Sequence, residues 1–356
     1  MENNNNQCII LTGGGTAGHV TLNINLKDEL NKHFNQIVYI GSENGIEKEL
    51  ISKNTKYKYE SIPVVKLERK KIFKNLLIPI KLSRAVKQAE KIIKQYNPKV
   101  IFSKGGYVGL PVVIAGKNLG IPVVCHESDI TMGLANKLAK KYANIICTNF
   151  ESTAKQHGKK CIYTGMPLKL SPLTREQAKN KLNIKTNKPI LLVTGGSLGS
   201  KALNKFVFEN LEYLTKKFYV VHLVGKNNLN KNLSNPNYKQ IEFCNDMWTL
   251  FKITDYAISR AGANTIVELL SNNILTIFVP LPKGVSRGDQ VDNAIFLEKN
   301  HLSCYIKQNE LNLQKLQKTL TFIENNANLI KKSIKNANFS DGTNSIVNII
   351  LKEKIS

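Results

Sequence analysis

The chain has 356 residues, 42% of them hydrophobic and 22% charged, the make-up of an ordinary globular protein with room for two domains that each bury a core. Its 51 basic residues outnumber 26 acidic ones for a formal charge of +25, which draws polyanions such as nucleic acid, anionic lipid or phosphorylated substrates, although a lysine-rich coding bias also produces such a number. No apolar run nears the roughly 20 residues that span a bilayer. Residues 1–6 lack the basic and apolar regions of a signal peptide, and no nucleic-acid-binding motif accompanies the charge, so no nucleic-acid partner is expected.

In chain order, short apolar runs alternate with helix-like stretches, as in βαβ units. The pattern predicts strands over 8–11, 37–40, 100–103, 123–126, 144–148 and 161–164, with helices over 20–32, 46–53, 76–96, 111–118 and 134–141. The stretch Gly165-Met166-Pro167-Leu168-Lys169 reads as a hinge, since Gly and Pro interrupt both periodicities. Beyond it the scheme repeats: strands over 190–194, 219–223, 239–243, 256–259, 275–279 and 303–306, helices over 200–211, 247–253, 263–270, 290–299 and 311–325. The expected division is 1–165, 166–338 and a C-terminal helix, 339–356, that crosses back to the first domain. Cys8, Cys125, Cys147, Cys161, Cys244 and Cys304 are scattered without metal-ligand spacing and read as reduced thiols of a cytosolic protein.

Two runs, half a chain apart, end in the same way. One leads into Thr12-Gly13-Gly14-Gly15-Thr16-Ala17-Gly18-His19, the other into Thr194-Gly195-Gly196-Ser197-Leu198-Gly199-Ser200. Each reads as a buried strand, a glycine turn and a helix start, where backbone N–H groups and the helix dipole can meet a phosphate. Ser103-Lys104-Gly105-Gly106-Tyr107 and Ser259-Arg260-Ala261-Gly262-Ala263 follow further strands in the same manner. Glycines alone could serve only tight turns. Four such loops at strand carboxyl ends point to paired nucleotide-type domains facing a shared cleft. Gly13, Gly15 and Gly18, with Glu43 after the next strand, also satisfy a dinucleotide fingerprint, so an NAD-dependent oxidoreductase is one alternative.

His19 stands where an imidazole could accept a proton, against the commoner structural role of a lone histidine. Glu127 and Asp129 could hydrogen-bond a sugar or instead cap the helix near Leu134. Glu268 lies about a turn inside a helix and could hold ribose hydroxyls. No Asp-x-Asp motif occurs, so no metal is expected and the diphosphate charge would be met by helix N-termini, amides and Lys169.

With these loops the chain resembles the MurG family of peptidoglycan glycosyltransferases. The likeness rests on residues 12–20, Ser103-Lys104-Gly105-Gly106-Tyr107-Val108, His126-Glu127-Ser128-Asp129, Gly133-Leu134-Ala135-Asn136, residues 195–199, Ser259 to Ala263, and Arg287-Gly288-Asp289-Gln290 with Asn293-Ala294. The resemblance implies an α/β protein of two Rossmann-like domains with a deep cleft, the GT-B fold. It implies inverting transfer of N-acetylglucosamine from UDP-GlcNAc to the 4-hydroxyl of MurNAc in undecaprenyl-linked lipid I, giving lipid II, with no cofactor. By the same resemblance His19 matches the candidate base; of the remaining acids Glu127 is next in line. Thr16, Ala17, Gly18 and Asp129 lie near the donor sugar, and Lys169 and Ser197 on its diphosphate side. The backbone at Cys244 faces uracil, Ala263, Asn264 and Thr265 open the helix under the diphosphate, Glu268 binds ribose, and Gln290 binds the GlcNAc hydroxyls. The chain departs from the family pattern in having Leu22 and Met132 for prolines and Lys169 for an arginine, which loses a two-pronged contact.

An enzyme with a lipid-linked acceptor works at a membrane surface. Residues 66–81 mix Lys70 and Lys71 with Phe73, Leu76 and Leu77, a pattern that suits peripheral attachment to an anionic surface on the cytoplasmic face of the cell membrane. The plainer reading of this stretch is a helix packed on its own sheet. Two further alternatives are a related enzyme acting on another lipid such as diacylglycerol, and a non-enzymatic membrane adaptor.

Overall fold

The computed structural model describes residues 7–63, 78–169, 171–196, 198–284 and 288–355. The chain divides into two compact units, Met1–Leu168 with Asp341–Ser356, and Lys169–Ser340.

Unit 1 is built on a parallel sheet of β1 (Cys8–Thr12), β2 (Gln36–Ser42), β3 (Lys58–Ile62), β4 (Val100–Ser103), β5 (Val123–Glu127), β6 (Ile145–Thr148) and β7 (Cys161–Tyr163). Their order is β3-β2-β1-β4-β5-β6-β7, so the direction of winding reverses between β1 and β4. β1, β4 and β5 are buried along their whole length, as strands covered by helices on both faces must be. Helix Ile78–Tyr96 buries Ala85, Val86, Ala89, Ile92, Ile93 and Tyr96 in this core, and leaves Lys81, Arg84, Lys87, Lys91 and Lys94 exposed. Helix Thr343–Ile355 lies against β4 and β5, with Ile346, Val347 and Ile350 buried. Its entry is fixed by Asp341, whose carboxylate accepts from the N–H of Leu168 (2.9 Å) and of Thr343 (3.0 Å).

Unit 2 repeats the plan with β8 (Ile190–Thr194), β9 (Tyr219–Leu223), β10 (Tyr238–Ile241), β11 (Tyr256–Ser259), β12 (Leu275–Phe278) and β13 (Cys304–Tyr305). The order β10-β9-β8-β11-β12-β13 reverses between β8 and β11, and every pair is parallel. β8 and β9 are fully buried. Inside this sheet, His222 is held between the Tyr238 hydroxyl (2.9 Å) and Asn204 (3.1 Å), and burial lowers its pKa to about 4.

The sequence reading places most strands within a residue or two but misses β3. Its Lys-Tyr-Glu-Ser-Ile run has a single fully buried side chain, because it is the sheet's edge. The helix expected at 111–118 starts earlier, as Gly106–Asn118, with Pro111 inside it. Short polar helices at Glu151–His157 and Arg175–Lys181 also lack the apolar stripe that announces a helix, and helices Leu211–Lys217 and Ala327–Asn336, which follow the helices expected over 200–211 and 311–325, are likewise not anticipated. Among the described residues no helix is long and apolar enough to cross a membrane.

Candidate active site

The first glycine turn leaves β1 where the strand order of unit 1 reverses, the usual place for ligands in open parallel sheets. Gly13 and Gly15 have φ of 144° and 86°, a region where a side chain would be strained. The Tyr39 hydroxyl donates to Gly13 O (2.6 Å), and the Gly15 N–H donates to Glu47 (3.3 Å). Glu47 is fully buried, and its carboxylate also accepts from the N–H (3.1 Å) and hydroxyl of Ser42. A Cβ on Gly14 would stand 2.7 Å from that carboxylate. Negative charge directly beneath this turn opposes a dinucleotide phosphate there. Glu43, which the nicotinamide reading needs, is simply exposed.

Thr16 is exposed and precedes helix Ala17–Asn25, in whose first turn Ala17, Gly18 and His19 are half-buried. His19 Nδ1 lies 2.7 Å from Gly14 O and must donate to it, so the neutral ring carries its lone pair on Nε2. The Gly105-Gly106 turn closes over this arrangement. A Cβ on Gly106 would meet Gly14 O at 2.7 Å and the His19 ring at 3.0 Å.

β5 ends in Glu127, which is buried. Its carboxylate accepts from the N–H of Asp129 (3.0 Å), the N–H of Gly133 (2.9 Å) and the Asn136 amide (3.0 Å). With both oxygens engaged it braces the 127–136 loop. The N-cap of helix Leu134–Ala139 is Gly133, so Asp129 does not cap it; Asp129 is half-buried in the same loop. Beside them, buried Lys104 donates to the Ser128 hydroxyl (2.7 Å). Burial holds its ammonium below the ordinary lysine range, against the pull of Glu127 and Asp129. His126 is kept neutral by burial and by Lys104, and donates from Nε2 to Gly165 O (3.1 Å).

In unit 2 the turn after β8 holds Gly196 and Gly199 at φ of 86° and 74°. A Cβ on Gly199 would strike Val224 O at 2.2 Å. Ser200 caps helix Lys201–Glu209 by accepting from the Leu203 N–H (3.4 Å). After β11, Gly262 precedes helix Ala263–Ser271, which has no side-chain cap and no acidic residue in its first turn. That leaves an uncompensated positive helix end bearing Ala263, Asn264 and Thr265. Glu268, one turn on, is half-buried, no described residue hydrogen-bonds its carboxylate, and burial pushes its pKa up to about 8. Gln290 uses its carbonyl oxygen to accept from the Leu281 N–H (3.0 Å), which leaves its amide NH₂ for a ligand. Cys244 follows β10, half-buried, with its thiol pKa raised by burial.

Unit 1 therefore gathers Thr16, Ala17, Gly18, His19, Glu127 and Asp129 at strand carboxyl ends, and unit 2 gathers Ala263, Asn264, Thr265, Glu268 and Gln290 likewise. Lys169 is exposed at the start of unit 2. Ser197 and the membrane candidates Lys70, Lys71, Phe73, Leu76 and Leu77 lie outside the described residues. The sequence reading assigns no role to Glu47 or Lys104. A carboxylate two residues past Gly45, in a run with three glycine or serine positions before it, is the faint signal that could have marked Glu47.

Two parallel-sheet α/β units, each with a glycine turn at its strand reversal, are the fold of the GT-B class, which includes glycosyltransferases. The glycosyltransferase family 28 N-terminal domain matches residues 9–148, and the family 28 C-terminal domain matches residues 190–347. The UDP-N-acetylglucosamine--N-acetylmuramyl-(pentapeptide) pyrophosphoryl-undecaprenol N-acetylglucosamine transferase of Clostridium botulinum (strain Langeland / NCTC 10281 / Type F) is 44% identical over 97% of this chain and 98% of its own length. The enzyme of the same name from Clostridium tetani (strain Massachusetts / E88) is 44% identical over 97% of each chain. The crystal structure of Acinetobacter baumannii MurG shares the fold at a TM-score of 0.77, with 24% identity over 97% of this chain and 99% of that one. The chain belongs to this MurG family of N-acetylglucosamine transferases.

Proposed function

We propose that this chain transfers N-acetylglucosamine from UDP-GlcNAc to the 4-hydroxyl of MurNAc in undecaprenyl-linked lipid I, with inversion at the anomeric carbon, for peptidoglycan synthesis. The observation that carries it is 44% identity along 97% of the chain to transferases whose name states that reaction. The charge distribution supports it: a buried carboxylate lies under the first turn of unit 1, whereas unit 2 offers an uncapped helix N-terminus and a Glu268 carboxylate without a described partner.

In this reading unit 2 holds the donor. The N–H groups opening helix Ala263–Ser271 face the diphosphate, Glu268 takes the ribose hydroxyls, Gln290 the sugar hydroxyls, and the backbone at Cys244 the uracil. Ser197 and Lys169 serve the diphosphate side. Unit 1 holds the acceptor, with Thr16, Ala17, Gly18 and Asp129 near the transferred sugar. The acceptor oxygen bonds to the anomeric carbon as the bond from that carbon to the diphosphate breaks. Its proton passes to His19 Nε2, whose basicity the Nδ1 bond to Gly14 supports, and the bonding electron pair leaves with UDP. Residues 66–81, on this reading, hold the enzyme peripherally on the anionic cytoplasmic face of the membrane, where the acceptor is anchored.

Thermal unfolding with added nucleotide tests the donor half. UDP and UDP-GlcNAc should raise the midpoint and NAD should not. Protection by NAD with none from UDP would restore the oxidoreductase alternative.

A further inference from the structure

Both units carry a buried cation at the equivalent place, directly after the strand that flanks the winding reversal. Lys104 follows β4 and donates its N–H to Thr12 O (2.9 Å), while Arg260 follows β11 and donates its N–H to Thr194 O (3.3 Å). Their surroundings differ. Lys104 binds Ser128, which has Glu127 and Asp129 on either side of it in the chain. Arg260 is 7% exposed, and its guanidinium donates to Val279 O (2.8 Å), Pro280 O (3.3 Å), Ser200 Oγ (2.7 Å) and Gln308 Oε1 (2.7 Å). All four are neutral oxygens, and no described carboxylate pairs with it. A guanidinium drawn out of water without a counter-charge is held at a cost that a fold tolerates where an anion is to come. Burial lowers its pKa from the usual arginine value, with no acidic neighbour opposing.

The cation also sits between two helix starts. Ser200, to which it donates, caps helix Lys201–Glu209 at the end of the third glycine turn. Gly262, two residues on, precedes the uncapped helix Ala263–Ser271. We propose that Arg260 is a positioning residue for the leaving group: its unpaired charge, steered by Ser200 and Gln308, is the built-in counter-charge that a nucleoside diphosphate completes on binding. It acts through the Ser200 cap and through its field, and its effect grows as the diphosphate gains charge on departure. The inference rests on the donor reading above.

The test supplies a counter-charge from within. Gln308→Glu keeps size and hydrogen bond while giving Arg260 a carboxylate. Calorimetric binding of UDP and of uridine is measured on wild type, Gln308→Glu, Arg260→Met and Arg260→Lys. Gln308→Glu should raise the unfolding midpoint without ligand, weaken UDP about tenfold and leave uridine unchanged. Arg260→Met should weaken UDP selectively, with Arg260→Lys partly restoring it; should Arg260→Met fail to fold, Gln308→Glu decides alone. UDP affinity unchanged in Gln308→Glu, or lost in equal measure with that of uridine, would overturn the role of Arg260. A wild type that binds no UDP would overturn the donor reading and this inference with it.

Discussion

The proposed role of His19 as base rests on one bond that sets its tautomer. The Gly14 carbonyl fixes the proton on Nδ1, so the ring offers Nε2 in the state a base requires. His19→Ala should lower kcat about 100-fold while leaving UDP affinity within about a factor of two, as single-turnover and binding measurements would show. Near-normal turnover would move the proton to another group. Glu268 carries a second prediction. Its folded pKa of about 8 exceeds the usual carboxyl value of 4.5, so the protonated form favours folding, a contribution complete below pH 4.5 and lost as pH rises through 8. In the proposed site ribose hydroxyls donate to the ionised form, so UDP-GlcNAc binding should release a proton below that pKa. UDP-GlcNAc, whose two phosphates do not titrate in this range, should therefore bind more tightly as pH rises from about 6 to 8 in the wild type and with constant affinity in Glu268→Gln, as titration calorimetry across that range would show. A flat wild-type profile would remove ribose from this carboxylate.

At the scale of elements, the strand–turn–helix units that carry the site were readable because a fully buried parallel strand is a plain apolar run closed by glycine. Those at β1, β4 and β8 are of this kind, β11 departs from it only at half-buried Tyr256, and the turns follow them where expected. What escaped reading depends on tertiary contact. The Glu47 brace joins residues 32 apart in sequence, and the Arg260–Gln308 contact joins residues 48 apart. Only its place two residues past Gly45 sets Glu47 apart from Glu43, four residues earlier, until the fold buries one and exposes the other. Glu127 likewise looks like a free acid in sequence and proves to be tied to three N–H donors. In helix Ile78–Tyr96, Ala85, Val86, Ala89, Ile92, Ile93 and Tyr96 face the core, while Ile80 in its first turn is 54% exposed. Replacing Phe73, Leu76 and Leu77 together with Ser should release the protein from anionic vesicles in a sedimentation assay without lowering the unfolding midpoint. Undiminished vesicle binding would assign attachment to another surface.

At the scale of the whole molecule, one architecture is used twice with different electrostatics. Both units wind a parallel sheet about a reversal, place a glycine turn on each side of it and set a cation after the second strand. Unit 1 adds buried and half-buried acids, Glu47, Glu127 and Asp129, to that plan, whereas Arg260 in unit 2 meets only neutral oxygens. A sugar hydroxyl and its proton suit the first environment, and a departing diphosphate suits the second. The most direct measurement is transfer of radiolabelled GlcNAc from UDP-GlcNAc, offered a lipid I analogue and diacylglycerol in parallel. Label should pass to the lipid I analogue in β-linkage and not to diacylglycerol; label on diacylglycerol alone, or on neither, would contradict the assignment.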